Sequence, residues 1–154
     1  MGLAIRSFQR KEFAMSKISE IRTAIIVNPQ LPVGLMANTA GAIAIGLGAR
    51  VQDLGARTLV DIEGREIDVS SRVPVPILQA DGEAIRALML KALERPDDRA
   101  VVPFPAFART LHAYEDYEAS LPQKDLSEEV IDGVGLAGPA KWVKSLTGSL
   151  KLLR

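Results

Sequence analysis

Val134-Gly135-Leu136-Ala137-Gly138-Pro139 is the stretch whose reading decides the fold. A short apolar run closes on Gly-Pro. A helix carrying the single tryptophan, Trp142, follows. Thr147-Gly148 stops that helix and leads into the apolar tail Leu150-Lys151-Leu152-Leu153. The glycines Gly133 and Gly135 permit close backbone approach, so residues 131–137 read as a strand pressed against a neighbour. Pro139 suits the opening of a helix, because its missing N–H would be unpaired there anyway.

Working back from this end, the same alternation repeats. Thr23-Ala24-Ile25-Ile26-Val27 is a continuous run rich in β-branched residues, which suits a strand covered on both faces. Asn28-Pro29 ends it, and Pro32 and Gly34 fill a tight loop. Residues 35–47 are apolar nearly all round, which predicts a buried helix stopped at Gly48. Thr58-Leu59-Val60-Asp61-Ile62 and Arg65-Glu66-Ile67-Asp68-Val69 flank Glu63-Gly64, the pattern of a hairpin with one wet face. Val73-Pro74-Val75-Pro76-Ile77-Leu78 reads as a strand, but two prolines remove donors from one side, which predicts a sheet edge with the prolines facing outward. Asp81 caps a helix with Ile85, Leu88, Met89 and Leu93 on one stripe, ended by Pro96. Ala100-Val101-Val102-Pro103-Phe104 is a further strand. Pro105 opens a helix expected to reach about Ser120, with Phe107, Leu111 and Tyr114 on one face. Strands alternating with helices argue a three-layer α/β/α fold with a mostly parallel or mixed sheet.

Composition narrows the function classes. The chain has 154 residues, 47% hydrophobic and 25% charged, an ordinary globular balance. One domain over residues 21–154 is expected, behind an N-terminal arm at 1–20; Met15 could be the functional start. Lys+Arg and Asp+Glu are both 19, so the net charge is zero. Binders of nucleic acid usually carry a basic surplus, because phosphate neutralisation supplies much of the affinity. The absence of cysteine excludes a thiol nucleophile and cysteine-ligated metal, and His112 is the only histidine, so neither a metal site nor a cofactor is expected. No run approaches the roughly 20 apolar residues that span a bilayer. A cytoplasmic protein that does not enter membranes is the expectation.

Several side chains stand out as polar candidates. Asn28 lies at the carboxyl end of the first strand, where open α/β sheets place ligands. Asn38 and Thr39 fall on the apolar helix, where a buried polar group needs a partner, a ligand or a brace. Gly34 could offer free backbone N–H groups to an anion at a helix start. Arg109 could clamp an anion with two parallel bonds. Thr110 and His112 are candidates for chemistry, although no carboxylate is evident to orient the imidazole. Lys141, Lys144, Lys151 and Arg154 make the C-terminal segment basic, with Glu128, Glu129 and Asp132 available to neutralise it.

With these elements placed, a family resemblance can be stated. The order from about residue 20 onward resembles the type II peptidyl-tRNA hydrolases. The segment Val27-Asn28-Pro29-Gln30-Leu31-Pro32-Val33-Gly34-Leu35-Met36-Ala37-Asn38-Thr39 resembles the opening of a bacterial set related to them, the domain of unknown function 2000 family. Gly138-Pro139 and Leu146-Thr147-Gly148-Ser149-Leu150 resemble its close. The resemblance implies a four-stranded mixed sheet with helices on both faces and a homodimer, to which the hairpin around Glu63-Gly64 is a small insert. The hydrolases open their first helix with Gly-Lys, the lysine being thought catalytic; here Leu35 follows Gly34. Thr39 and Ala42 stand where a glutamine and a histidine are typical. Ala106 takes the place of an aspartate, while Arg109 and Thr110 remain. Leucine cannot supply a cation and alanine cannot hold a water. The resemblance therefore implies a protein that binds a small anionic or nucleotide-like ligand or a protein partner. The alternative is a hydrolase of peptidyl- or aminoacyl-esters with a rearranged site, for which tRNA would be a partner that the neutral charge does not favour.

Overall fold

A computed structural model describes residues 20–154, apart from 53 and 56. The expected N-terminal arm therefore lies outside the described residues, except for Glu20. In chain order the elements are β1 (Ile21–Val27), α1 (Val33–Arg50), β2 (Thr58–Val60), β3 (Glu66–Asp68), β4 (Ile77–Gln79), α2 (Gly82–Ala92), β5 (Ala100–Pro105), α3 (Tyr114–Ser120), β6 (Ile131–Pro139), α4 (Ala140–Thr147) and β7 (Lys151–Leu152). Short 3-10 turns occupy Ala106–Thr110 and Leu121–Gln123.

Five strands form a mixed sheet in the order β5-β6-β1-β4-β7, one more than the four expected. Among the described residues, only the β1–β4 pair is parallel. The extra strand is the apolar tail: Leu78 and Gln79 of β4 pair with Leu152 and Lys151. A two-residue strand has no periodicity to detect, so a tail was all that sequence could predict there.

The β-branched run of β1 sits between β6 and β4, and its side chains are shared between two cores. Ala24 and Ile26 pack with Ile85 and Met89 of α2 and Val143 of α4. Ile25 and Val27 pack with Ile43 and Leu47 of α1 on the other face. The result is one helix on one face of the sheet and two on the other. Burial of both faces is why the run is continuous instead of alternating. Gly135 lets α1 lie close against β6: a Cβ there would overlap Ile43 and come within 3.0 Å of Leu47.

The proline segment corrects one expectation. The carbonyl of Pro76 accepts from the N–H of Ile25 at 3.0 Å, so the proline nitrogens lie on the β1 side and not on an outer edge. With those donors missing, the parallel ladder begins only at Ile77, and the Thr23 hydroxyl bonds the Pro74 carbonyl at 2.7 Å instead. β4 is second from the edge because β7 covers its far side. The proline-bearing edge strand is β5, with Pro103 and Pro105.

Helix α1 corrects another. It runs through Gly48 to Arg50 and is not buried all round. Thr39, Ile43 and Leu47 face the sheet, whereas Val33 (79% exposed) and Ile45 (76%) face outward. Apolar composition without charges reads as burial in sequence, yet the outer side is built largely of alanine and glycine, which cost little to expose. The helix expected from Pro105 to Ser120 is broken: after the 3-10 turn, Leu111 and Ala113 are extended before α3 begins. Phe107 stacks on Tyr117 at 5.8 Å, and Tyr114 points outward, so Phe107, Leu111 and Tyr114 do not share a face. The stripe on α2 is as read, with Ile85 and Met89 buried, Leu88 and Leu93 packed against them, and Asp81 accepting from the Ala84 N–H at 2.8 Å. No helix among the described residues is long and apolar enough to cross a membrane.

Candidate functional site at the carboxyl end of β1

Strand β1 ends at Val27, opposite Gly133 of β6. The next pair across that ladder is Asn28 and Asp132, joined by the Asn28 N–H donating to the Asp132 carbonyl at 3.0 Å. Directly opposed residues project to the same face, so both side chains rise on the side covered by α2. Asn28 shapes its own loop: its Oδ1 accepts from the Gln30 N–H at 2.9 Å, the turn that asparagine favours. Its Nδ2 lies at the start of α2, where a Cβ on Gly82 would stand 3.8 Å away.

Asp132 is 1% exposed. Both of its carboxylate oxygens are taken by one guanidinium: Arg109 Nε donates to Oδ2 at 2.5 Å, and Nη2 donates to Oδ1. This is the bidentate fork in which arginine matches a carboxylate. The hydrogen bond to Asp132 raises the Arg109 pKa above its ordinary value; desolvation opposes that and the charge of Asp132 adds to it. Two of arginine's five N–H groups are spent on Asp132. The rest are available on a side chain that is 34% exposed. The turn carrying Arg109 is braced, because Phe107 stacks on Tyr117 and lies 5.1 Å beneath the Lys124 ammonium. The arrangement is a cation held by Asp132, which itself lies across the ladder from Asn28.

The other sequence candidates lie elsewhere. Thr39 packs on the opposite face of β6, over Gly133, and its buried Oγ1 has no hydrogen-bond partner among the described residues. Gly34 and Asn38 are exposed on α1. The Thr110 hydroxyl donates to the Phe107 carbonyl at 3.1 Å within its own turn. His112 is exposed. Among the described residues, no group of three His, Cys, Asp or Glu is placed to hold a metal ion. Two surface hollows, about 640 Å³ beside Arg57 and Asp68 and about 340 Å³ beside Arg22 and Arg72, are lined by other residues than Asn28, Arg109 and Asp132.

Asp132, read in the sequence as available to neutralise the basic C-terminal segment, is instead paired with Arg109. Its signal was a charge inside the apolar run Ile131-Asp132-Gly133-Val134. Aspartate is almost never fully buried unless paired, so a fixed cation had to be sought elsewhere in the chain.

A mixed sheet of this order finds its match among uncharacterised proteins. The chain belongs to the DUF2000 family, described as a protein of unknown function, whose model matches residues 21–154. It is similar to the solved structure of a protein of unknown function, Atu0240, from Agrobacterium tumefaciens strain C58, with a TM-score of 0.77 and 20% identity. That match covers 86% of this chain and 97% of the other. At this identity the likeness carries the fold alone. No curated protein matches the chain at a significant level.

Proposed function

We propose that this chain is a ligand-binding member of its family, a variant of the type II peptidyl-tRNA hydrolase fold that holds a small anionic or nucleotide-like ligand at Arg109. The observation that carries this reading is the buried Asp132 carboxylate gripping Arg109 from behind while part of the guanidinium stays in solvent. A carboxylate or phosphate oxygen would meet the free N–H edge, and the Asn28 amide offers a second donor from the neighbouring strand end. Orientation by Asp132 means that little side-chain freedom is lost on binding. Ester hydrolysis is the weaker reading, because the Thr110 hydroxyl donates inside its own turn. The exposed apolar side chains Leu59, Val60 and Ile67 support a homodimer as the working form. A cytoplasmic setting fits a chain without cysteine.

The test is titration of isotopically labelled protein with inorganic phosphate, acetate and a nucleoside monophosphate. Shifts of the Arg109 Nε–H and Asn28 Nδ2–H₂ signals are expected, with affinity falling at least about tenfold in Arg109→Lys, which cannot reproduce the fork. Absence of any shift at about 10 mM ligand, a Kd weaker than about −3 kcal/mol of binding, removes the proposal. Turnover of an N-blocked aminoacyl-tRNA that is lost in Thr110→Ala would favour the hydrolase instead.

A further inference from the structure

Strands β2 and β3 form a two-stranded ribbon separate from the main sheet. All six of its strand residues are exposed, on both faces. Two-stranded ribbons are marginal in water by themselves. This one is pinned at its tip. The Asp61 carboxylate accepts from the N–H groups of Glu63 and Arg65 at 2.9 Å and pairs with the Arg65 guanidinium at 3.0 Å, and Gly64 supplies the turn with φ +82°. The tip presents Ile62, 99% exposed.

The ribbon's hydrogen bonds identify its free edges. Asp61 N–H bonds the Arg65 carbonyl and Val69 N–H bonds the Arg57 carbonyl, so the odd-numbered residues bond inward. The backbone groups of Thr58 and Val60 therefore point outward from β2, and those of Glu66 and Asp68 outward from β3. The two edges differ in charge. A copy pairing along β3 in antiparallel fashion would set Glu66 against Asp68 of the other copy, and like charges directly opposite are unfavourable. The β2 edge, Thr58-Leu59-Val60, carries no charge.

We infer that a second copy of this chain docks along β2, antiparallel about a two-fold axis at Leu59; this rests on the homodimer reading above. The register follows from the edge. Thr58 lies opposite Val60 of the other copy, and these two pairs exchange four backbone hydrogen bonds. Leu59 meets its own counterpart, so the cross-strand pair of Leu59 and Ile67 extends into a row of four apolar side chains over four strands. Arg57 then stands opposite Asp61 of the other copy at both ends, which places unlike charges across the seam. The acidic β3 strands become the outer edges of the joined sheet and oppose further growth, so the assembly closes as a dimer. So short a contact falls below the roughly 1,600 Å² of a standard interface, and a weak, concentration-dependent dimer results.

Sedimentation velocity on the full chain from about 1 µM to about 1 mM tests this over the affinity range of weak complexes. The unaltered chain is expected to shift from monomer to dimer. Leu59→Lys and Arg57→Glu should each weaken dimerisation at least about fivefold while leaving the fold intact, since both residues are exposed and outside the main sheet. Ile45→Lys, on the outer side of α1, should change nothing. A monomer at every concentration overturns the homodimer reading together with this inference. A dimer that survives both ribbon variants but is lost in Ile45→Lys overturns the ribbon interface alone.

Discussion

Deleting Arg109 should cost more than deleting Asp132, although the two share the same bonds. Arg109→Ala leaves a carboxylate that is 1% exposed with no counter-ion. Removing one partner of a buried pair costs about 3–5 kcal/mol, mostly the penalty of the charge left behind. Arg109 is 34% exposed, so water can reach the vacated side and the low end, about 3 kcal/mol, applies. That corresponds to a drop of roughly 6–12 °C in melting temperature for a chain of this size. Asp132→Ala instead releases a guanidinium that can turn to solvent. It loses only charge-assisted hydrogen bonds, about 1.5 kcal/mol. Urea unfolding of both variants at pH 7 measures this. Equal costs within about 0.5 kcal/mol, the usual error of independent sites, or a larger cost in Asp132→Ala, would refute the buried-charge argument.

Further outcomes follow from local geometry. Gly135→Ala would overlap Ile43 and should cost about 3 kcal/mol by overpacking, whereas Gly41→Ala, with nothing within 4 Å of the added Cβ, should stabilise α1 by about 0.5–1 kcal/mol; paired denaturant melts compare them. Asp81→Ala removes the cap on α2 and should cost about 1 kcal/mol, with Asp81→Asn nearly neutral in the same assay. The Ser127 hydroxyl and N–H both donate to Asp125 and hold its pKa below the ordinary value, so NMR titration should show it rise in Ser127→Ala; being depressed, this contribution is present above the unfolded pKa and lost as pH falls through the folded one. Burial, then the neighbouring Tyr114, raises the Tyr117 pKa, so ultraviolet titration should find a phenol ionising above the usual value of about 10, with its share of stability present below that pH and lost as pH rises through the folded pKa.

The strand-helix order and the two-faced burial of β1 were legible because a continuous β-branched run has few other uses. The capped stripe of α2 was legible for a similar reason, since Asp81 and the spacing of Ile85 and Met89 agree. The candidate site was half legible. Asn28 and Arg109 stood out by type and position, but Asp132 lies 23 residues from Arg109, and only the fold of β6 against the 3-10 turn brings them together. The misreadings share a cause. Apolar content was taken for burial in α1, and prolines were taken for an outer edge before β4. In both, the decisive quantity was which neighbour lay alongside, and local composition does not carry that.

The ribbon hangs outside the main sheet, and its tip at residues 62–64 touches no strand of that sheet's ladders. β1, on one side of that tip, is wedged between β4 and β6 from the other side. A protease cut at Gly64 would thus sever the polypeptide without severing the molecule. Each piece would lack the neighbours that bury its apolar strands, and the two would hold together as a nicked whole, making the tip a natural seam for splitting and rejoining this protein.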